Sequence, residues 1–265
     1  MIKIQDVYFS YTDGPVLDGI DLTINKGEYV GIMGESGSGK TTLAKLIIGL
    51  LLPQNGVIKI NGISTQESTK LLEIRKAVGL VFQNPDTQII GETVEEDLVF
   101  GLENLQLSVT KIDDRIDRYL GLLGINHLRY SNFRLLSCGQ KQLVNLAAVM
   151  AMQQDCIIFD EPVSMVDRTH QKKILAFIHE LNRSGVAVIH ITHDPGELVH
   201  CSRIIIISNG RVAYQGTPYE VFEHMVRNDE HNVPVTFAIS RKLGLAPVSK
   251  PEELVKKIWL SRSET

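Results

Sequence analysis

Apolar and polar residues alternate from Ile2 to Phe9 and again from Leu17 to Ile24, the period-two pattern of strands with one buried face. Asp13-Gly14-Pro15 between them predicts a turn, so the chain opens with two antiparallel strands. The pattern then changes. Tyr29 to Met33, Val78 to Phe82 and Val186 to Thr192 are short strand-like apolar runs, and Cys156 to Phe159 is a continuous one, as parallel strands covered on both faces are. The run ending at Thr192 reads as the last core strand. Helical spacing marks Thr41 to Leu50, Lys70 to Arg75, Thr93 to Leu98, Ile112 to Leu123 and about Gly139 to Met152. A short strand at Val57 to Ile60 runs into the Asn61-Gly62 turn, and Arg203 to Gln215, broken at Asn209-Gly210, predicts a hairpin. Between Asn84 and about Arg134 no strand-like run occurs. That stretch, closed by the 139–152 helix, predicts a helical subdomain over about 84–152, inserted into an α/β core.

Composition narrows the classes. The chain has 265 residues, 43% of them hydrophobic, enough for one large domain with an appendage. A net charge of −4 gives no global basic field, so a nucleic-acid backbone is not the expected partner. Three cysteines, Cys138, Cys156 and Cys201, lack metal-ligand spacing and fit a reducing compartment. The longest near-continuous apolar run, Leu46 to Leu52, falls far short of the roughly 20 residues of a membrane helix, and no basic-then-apolar leader follows Met1. Any membrane association is expected through a partner.

The stretch that carries chemistry is Gly34-Glu35-Ser36-Gly37-Ser38-Gly39-Lys40-Thr41, followed by Thr42. It matches the phosphate-loop pattern of Gly, four residues, Gly-Lys-Ser/Thr, and lies between a predicted strand and a predicted helix, the context the motif needs. Its glycines let backbone N–H groups turn onto phosphates at a helix N-terminus. Lys40 is expected to reach the β- and γ-phosphates and Thr41 to hold Mg²⁺; a Gly/Ser surface loop is the plainer reading.

Other candidates stand at the ends of strands, the edge on which α/β proteins bind ligands. Gln83 could coordinate Mg²⁺ and an attacking water, or simply cap its strand. Asp160 could bind Mg²⁺ beside Thr41, and Glu161 could take a proton from water, unless the pair is only a solvated turn. His193 could hydrogen-bond the γ-phosphate or the water, whereas His190, inside its strand, reads as a satisfied core histidine. Tyr11 could stack on a purine base or pack on the core.

Taken in order, the phosphate loop, Gln83, Leu136-Ser137-Cys138-Gly139-Gln140, Asp160-Glu161, Ser164-Met165-Val166-Asp167 and His193 resemble the nucleotide-binding domain of ABC transporters over residues 1 to about 225. The Leu-Ser-x-Gly-Gln signature is the specific element, since many NTPases share a phosphate loop. Phe82 to Ile89 and Glu92-Thr93-Val94 through Leu105 are similar to the ATPases of energy-coupling-factor vitamin transporters and of cobalt and nickel importers. The resemblance implies an α/β P-loop NTPase fold of the ABC ATPase type: a mixed-sheet core, an antiparallel β subdomain, an inserted helical subdomain and a C-terminal helical extension over 226–265. It also implies a head-to-tail dimer binding ATP with Mg²⁺, in which Ser137, Cys138, Gly139 and Gln140 contact the partner's ATP and Asp167 links the two sites across the interface. Glu161 and His193 would orient water at this chain's own ATP. The implied partners are a second ATPase, a paralogue or a copy, together with a transmembrane coupling protein docked near Gln83 and the helical subdomain and a substrate-binding membrane subunit. The implied location is the cytoplasmic face of the membrane.

Two positions depart from the family pattern. Cys138 replaces a usual Gly, and Leu143 stands where a basic residue is common, which suggests one half of an asymmetric heterodimer whose two sites differ in rate. In the tail, Ser249 and Glu252 have capping-box spacing, and Leu254, Val255, Ile258 and Trp259 form an apolar stripe for packing on the domain or for dimerisation. The other readings are a soluble ABC ATPase working on nucleic acid or ribosomes, which usually carries two such domains or a long coiled-coil insertion, and a regulatory module without turnover, against which Glu161 argues.

Overall fold

A computed structural model describes residues 1–228, 233–245, 248 and 251–263. The strands are β1 (Ile2–Tyr11), β2 (Gly14–Ile24), β3 (Tyr29–Met33), β4 (Asn55–Ile60), β5 (Ile63–Ser64), β6 (Val78–Val81), β7 (Cys156–Asp160), β8 (Ala187–Ile191), β9 (Arg203–Ser208) and β10 (Arg211–Gly216). The helices are α1 (Lys40–Ile47), α2 (Leu71–Ala77), α3 (Val94–Glu103), α4 (Val109–Leu123), α5 (Cys138–Ala151), α6 (Arg168–Arg183), α7 (Pro218–Arg227), α8 (Val235–Lys242) and α9 (Pro251–Ser263).

Two sheets organise these elements. One is antiparallel, in the order β2-β1-β4-β5, and the other has six strands in the order β10-β9-β3-β8-β7-β6. In the second, β3, β6, β7, β8 and β9 run parallel, and β10 closes one edge antiparallel to β9. Every residue of β3, β6, β7 and β8 is buried, which accounts for their mainly apolar runs, interrupted only by His190 in β8 and Asp160 at the end of β7. One apolar layer, with Leu43, Leu46, Ile47 and Ile74, joins the antiparallel sheet to one face of the core. The other face carries α5, α6 and α7, and this layer continues into α3 and α4 through Leu98, Leu102, Ile112, Ile116 and Leu120. Arg129 ties α3 to α4, bonding Glu95 at 2.6 Å, Asp113 at 2.8 Å and Asp117 at 2.6 Å.

The structure corrects two local readings. Gly14 and Pro15 lie inside β2, paired with Tyr11 and Ser10, so the first turn shrinks to Thr12-Asp13; Pro15 is tolerated because β2 is an edge strand. The run at 186–192 is not the last core strand, since β9 extends the parallel sheet beside β3. The sixteen-residue α6 carries no earlier expectation. In the tail, Ser249 lies outside the described residues. Leu254 is buried and Ile258 half-buried, but Val255 and Trp259 face outward, as do Val235 and Ile239 of α8 and Leu243 just after it. Among the described residues no helix is long and apolar enough to cross a membrane.

Candidate functional site

Because β3, β8, β7 and β6 are parallel and follow one another in the sheet, their carboxyl ends lie along one edge. The segments leaving those ends, together with Tyr11 and Val16 from the first hairpin, line a cleft of about 620 Å³. Ser36, Gly37, Gly39, Lys40, Thr41 and Thr42 line it together with Gln83, Asp160, Glu161 and His193. Most of the candidates read from the sequence are thus gathered in one place from five separate stretches of chain. Gly34 and Glu35 instead line an adjoining cavity of about 640 Å³, and Ser38 is buried beneath the loop.

The loop's path is fixed by contact as well as by glycine torsion. A side chain at Gly34 would place its Cβ 2.1 Å from the Ile207 carbonyl oxygen of β9, so no other residue fits there. Lys40 starts α1, and its Nζ donates to the carbonyls of Gly34 at 2.8 Å and Glu35 at 2.7 Å. Burial pulls the Lys40 ammonium below the usual lysine range, while the Glu161 and Asp160 carboxylates push it back up.

Asp160 is almost fully buried at the end of β7. Burial raises its pKa, and Glu161 adds to the rise; a hydrogen bond from Thr41 and the charges of Lys40 and Lys45 oppose it. One carboxylate oxygen, Oδ1, is buried without a hydrogen-bond partner. A buried carboxylate oxygen left over beside a threonine hydroxyl, with the Gln83 amide across the same cleft, is an all-oxygen donor set suited to a hard cation such as Mg²⁺. On this observation the residues fit the metal.

Glu161 is held from two sides. Its backbone N–H donates to the Ile191 carbonyl at 2.9 Å, and its φ is 50°, a left-handed conformation that costs a non-glycine residue roughly 1–3 kcal/mol. His193 Nδ1–H donates to both carboxylate oxygens, at 2.8 and 2.9 Å. That bond raises the His193 pKa above the ordinary histidine value. Ser164 opens the Ser164-Met165-Val166-Asp167 stretch of the resemblance but carries no role read from the sequence. Its hydroxyl donates to the Glu161 carbonyl at 3.1 Å and sits 3.5 Å from the Gln83 amide nitrogen. Val16 was also missed; nothing in an alternating strand marks it. His190 is the satisfied core residue expected: it is fully buried, its Nε2–H donates to Glu197, and its Nδ1 accepts from Tyr29.

The signature residues stand apart from this cleft, at the start of α5. Ser137 is the N-cap, accepting from the Gln140 N–H at 3.3 Å while the Gln140 side-chain oxygen accepts from the Ser137 N–H at 2.9 Å. Cys138 is exposed. Gly139 lies under the ring of His170, where a Cβ would come within 2.9 Å of Cγ. His170 hydrogen-bonds Asp167, which caps α6 through the Thr169 and His170 amides; this bonding holds the Asp167 carboxyl below its ordinary value. Leu143 is buried, so the position that departs from the expected basic residue is part of the core here.

The ABC transporter family profile matches residues 17–164. An energy-coupling factor transporter ATP-binding protein of Methanosarcina acetivorans is 45% identical over 226 residues, 85% of this chain and 82% of that one. The chain belongs to the ABC transporter family. Within it, the chain is an ATP-binding subunit of the energy-coupling-factor type, and it is an ATPase. Solved ABC cassettes share its fold. One from Clostridium perfringens, described as part of the transporter complex cbiONQ, superposes with a TM-score of 0.76 at 33% identity, covering 86% of this chain and 93% of its own. A dimeric cassette in a post-hydrolysis state with ADP and Pi also gives 0.76, at 29% identity, over 82% of this chain and 99% of its own.

Proposed function

We propose that this ABC ATPase powers a membrane importer of the energy-coupling-factor type, taking up a vitamin or a transition-metal ion, and that it works head to tail with a second, paralogous ATPase. The observation that carries the proposal is the division of the site: one cleft gathers the phosphate loop, Gln83, Asp160, Glu161 and His193, while Ser137 to Gln140 lie on a different face. In this reading each ATP lies between one subunit's cleft and the other's signature.

The geometry supports the following roles. The loop amides from Gly34 to Thr42 and the Lys40 ammonium bind the phosphates, and Tyr11, with Val16, presents a wall on which the purine stacks. Thr41, Asp160 and Gln83 would hold Mg²⁺, which when bound neutralises charge developing on the phosphate oxygens. Glu161 accepts the proton of the attacking water at its carboxylate. His193 holds that carboxylate in place through its two short bonds and donates toward the γ-phosphate. On the other face, Ser137, Cys138, Gly139 and Gln140 meet the partner's ATP with the start of α5 behind them, and Asp167 reaches across the interface. Cys138 and Leu143 make the two sites unequal.

The remaining assignments belong to the same proposal. Residues 1–225 form the ATPase domain, with a helical subdomain over about 84–152, and 226–265 form an extension whose outward Val235, Ile239, Leu243, Val255 and Trp259 pair the subunits. A transmembrane coupling protein docks near Gln83 and the helical subdomain, where Ile90 and Phe100 are exposed. A further membrane subunit binds the cargo, and the chain sits peripherally on the cytoplasmic face. Affinity purification of the tagged chain from its own cells in mild detergent tests this. A related ATPase and a small polytopic membrane protein should be retained; ribosomal or DNA-associated proteins alone would overturn the reading in favour of a soluble ATPase.

A further inference from the structure

The loop that follows Gln83 belongs physically to α5. Two successive loop residues grip two successive turns of that helix: the Asn145 side-chain NH₂ donates to the Pro85 carbonyl at 3.1 Å, and Lys141 Nζ bonds Asp86 Oδ1 at 2.6 Å. The far end of the loop is pinned to α3, where Asp97 Oδ1 accepts from the Ile90 and Gly91 amides at 2.7 and 3.2 Å. Gln83 itself stands at the boundary between this clamped loop and β6.

The spacing on α5 gives the clamp a direction. Ser137, Lys141 and Asn145 recur every four residues and so fall on one stripe of the helix, from its cap to its third turn. Eight residues of α-helix span only about 12 Å, so the grip on the loop lies close to the signature serine and is joined to it by continuous helix. Asn145 also holds its place at some expense. It is fully buried, and its Oδ1 has no hydrogen-bond partner, so half of a core amide is left unused while the other half holds Pro85. A side chain kept for packing alone would carry no polar atoms there.

We propose that Asn145 and Lys141 are positioning residues that make the Gln83 loop and the signature one rigid unit, so that movement of Gln83 at this chain's own ATP is delivered to the signature offered to the partner's. Neither residue lines the cleft. The clamp sets how strongly the two sites work together, which rests on the two-subunit reading above.

The test uses the full chain, purified with the ATPase and membrane subunits that accompany it, in four forms: unaltered, Asn145→Ala, Asp86→Lys, and Asp86→Lys combined with Lys141→Asp. Steady-state turnover against ATP concentration gives kcat, KM and the Hill coefficient, and ATP affinity of the isolated chain controls for folding. A misplaced signature is expected to lower kcat roughly 10- to 100-fold and bring the Hill coefficient toward 1 in both single variants, with ATP affinity within about twofold of the parent; the charge swap should recover much of the loss. Single variants that keep the parental kcat and Hill coefficient, or a swap as slow as Asp86→Lys alone, overturn the inference. An unaltered assembly that never pairs on ATP refutes the two-subunit reading and the clamp with it, whereas a paired assembly indifferent to these changes refutes the clamp alone.

Discussion

Replacing Glu161 with Gln separates chemistry from folding more cleanly than any other change in the cleft. The amide has nearly the shape of the carboxylate, keeps the same Cβ in the left-handed backbone, and leaves the Glu161 N–H to Ile191 bond intact. Its oxygen still accepts from His193, but it can no longer accept a proton from water. Loss of a general base lowers turnover by about 10²–10⁴, which at 1.36 kcal/mol per decade is roughly 3–5.5 kcal/mol of barrier. The fold loses far less. The Glu161 side chain is 13% exposed, but its histidine partner is 70% exposed, and a solvent-screened pair of this kind contributes at most about 1 kcal/mol. Phosphate release under saturating MgATP should therefore collapse while ATP affinity and melting temperature stay near the parent's. The histidine supplies a second readout with a definite sign. Glu161 raises the His193 pKa above 6.5, so the stability contributed by the pair is complete below about pH 6.5 and fades as pH rises through the higher folded value. In Glu161→Gln the His193 ring resonance should titrate at lower pH than in the parent. Turnover within a few-fold of the parent would remove Glu161 from its role, and an unmoved His193 titration would break the link between the two side chains.

Asp160→Asn should leave the melting temperature of the nucleotide-free chain at or above the parent's near pH 7, because a buried carboxylate with a raised pKa destabilises the fold above that pKa. It should also abolish the additional Mg²⁺-dependent rise in melting temperature expected of the parent with ATP, as chelator treatment of the parent should. Arg129→Met leaves Glu95, Asp113 and Asp117 facing one another without their cation. It should cost about 1–3 kcal/mol in chemical denaturation and speed proteolysis across 95–129. Ser137→Ala removes an N-cap and should destabilise the chain by about 0.5–2 kcal/mol, with turnover of the two-subunit assembly falling further than that loss explains.

What the sequence made legible is what local pattern controls. The phosphate loop announces itself because backbone conformation needs its glycines in order, and β6, β7 and β8 because burial on both faces leaves only His190 and the terminal Asp160 as polar side chains within them. From parallel strands it follows that Gln83, Glu161 and His193 share an edge, although 110 residues separate the outer two. The helix α6 was overlooked although its signals are present: Asp167 at the cap, then Ile174 and Ile178 on one face. So too α7, where Thr217 and Glu220 form a capping box around Pro218. The placing of β9 depends on its pairing with β3, whose partner residues lie 173 positions earlier, and a hairpin pattern is silent on which edge it joins. The Lys141–Asp86 and Arg129 contacts are equally invisible, since side chains 55 and 34 residues apart carry no shared period.

The reciprocal cap at Ser137 and Gln140 has a further consequence, for the polarity of the surface it presents. Both side chains serve the helix as acceptors, the serine through its oxygen and the glutamine through its carbonyl. What each retains is a donor: the hydroxyl hydrogen of Ser137 and the two amide hydrogens of Gln140. The motif thus accepts inward and donates outward, and the bonds that fold the helix leave over the complement that a phosphate oxygen requires. On the two-subunit proposal, a chain awaiting its partner would break none of its own bonds to receive the partner's nucleotide, and engagement and release would cycle without unwinding the start of α5. An aspartate at 137 would keep the inward half and reverse the outward one.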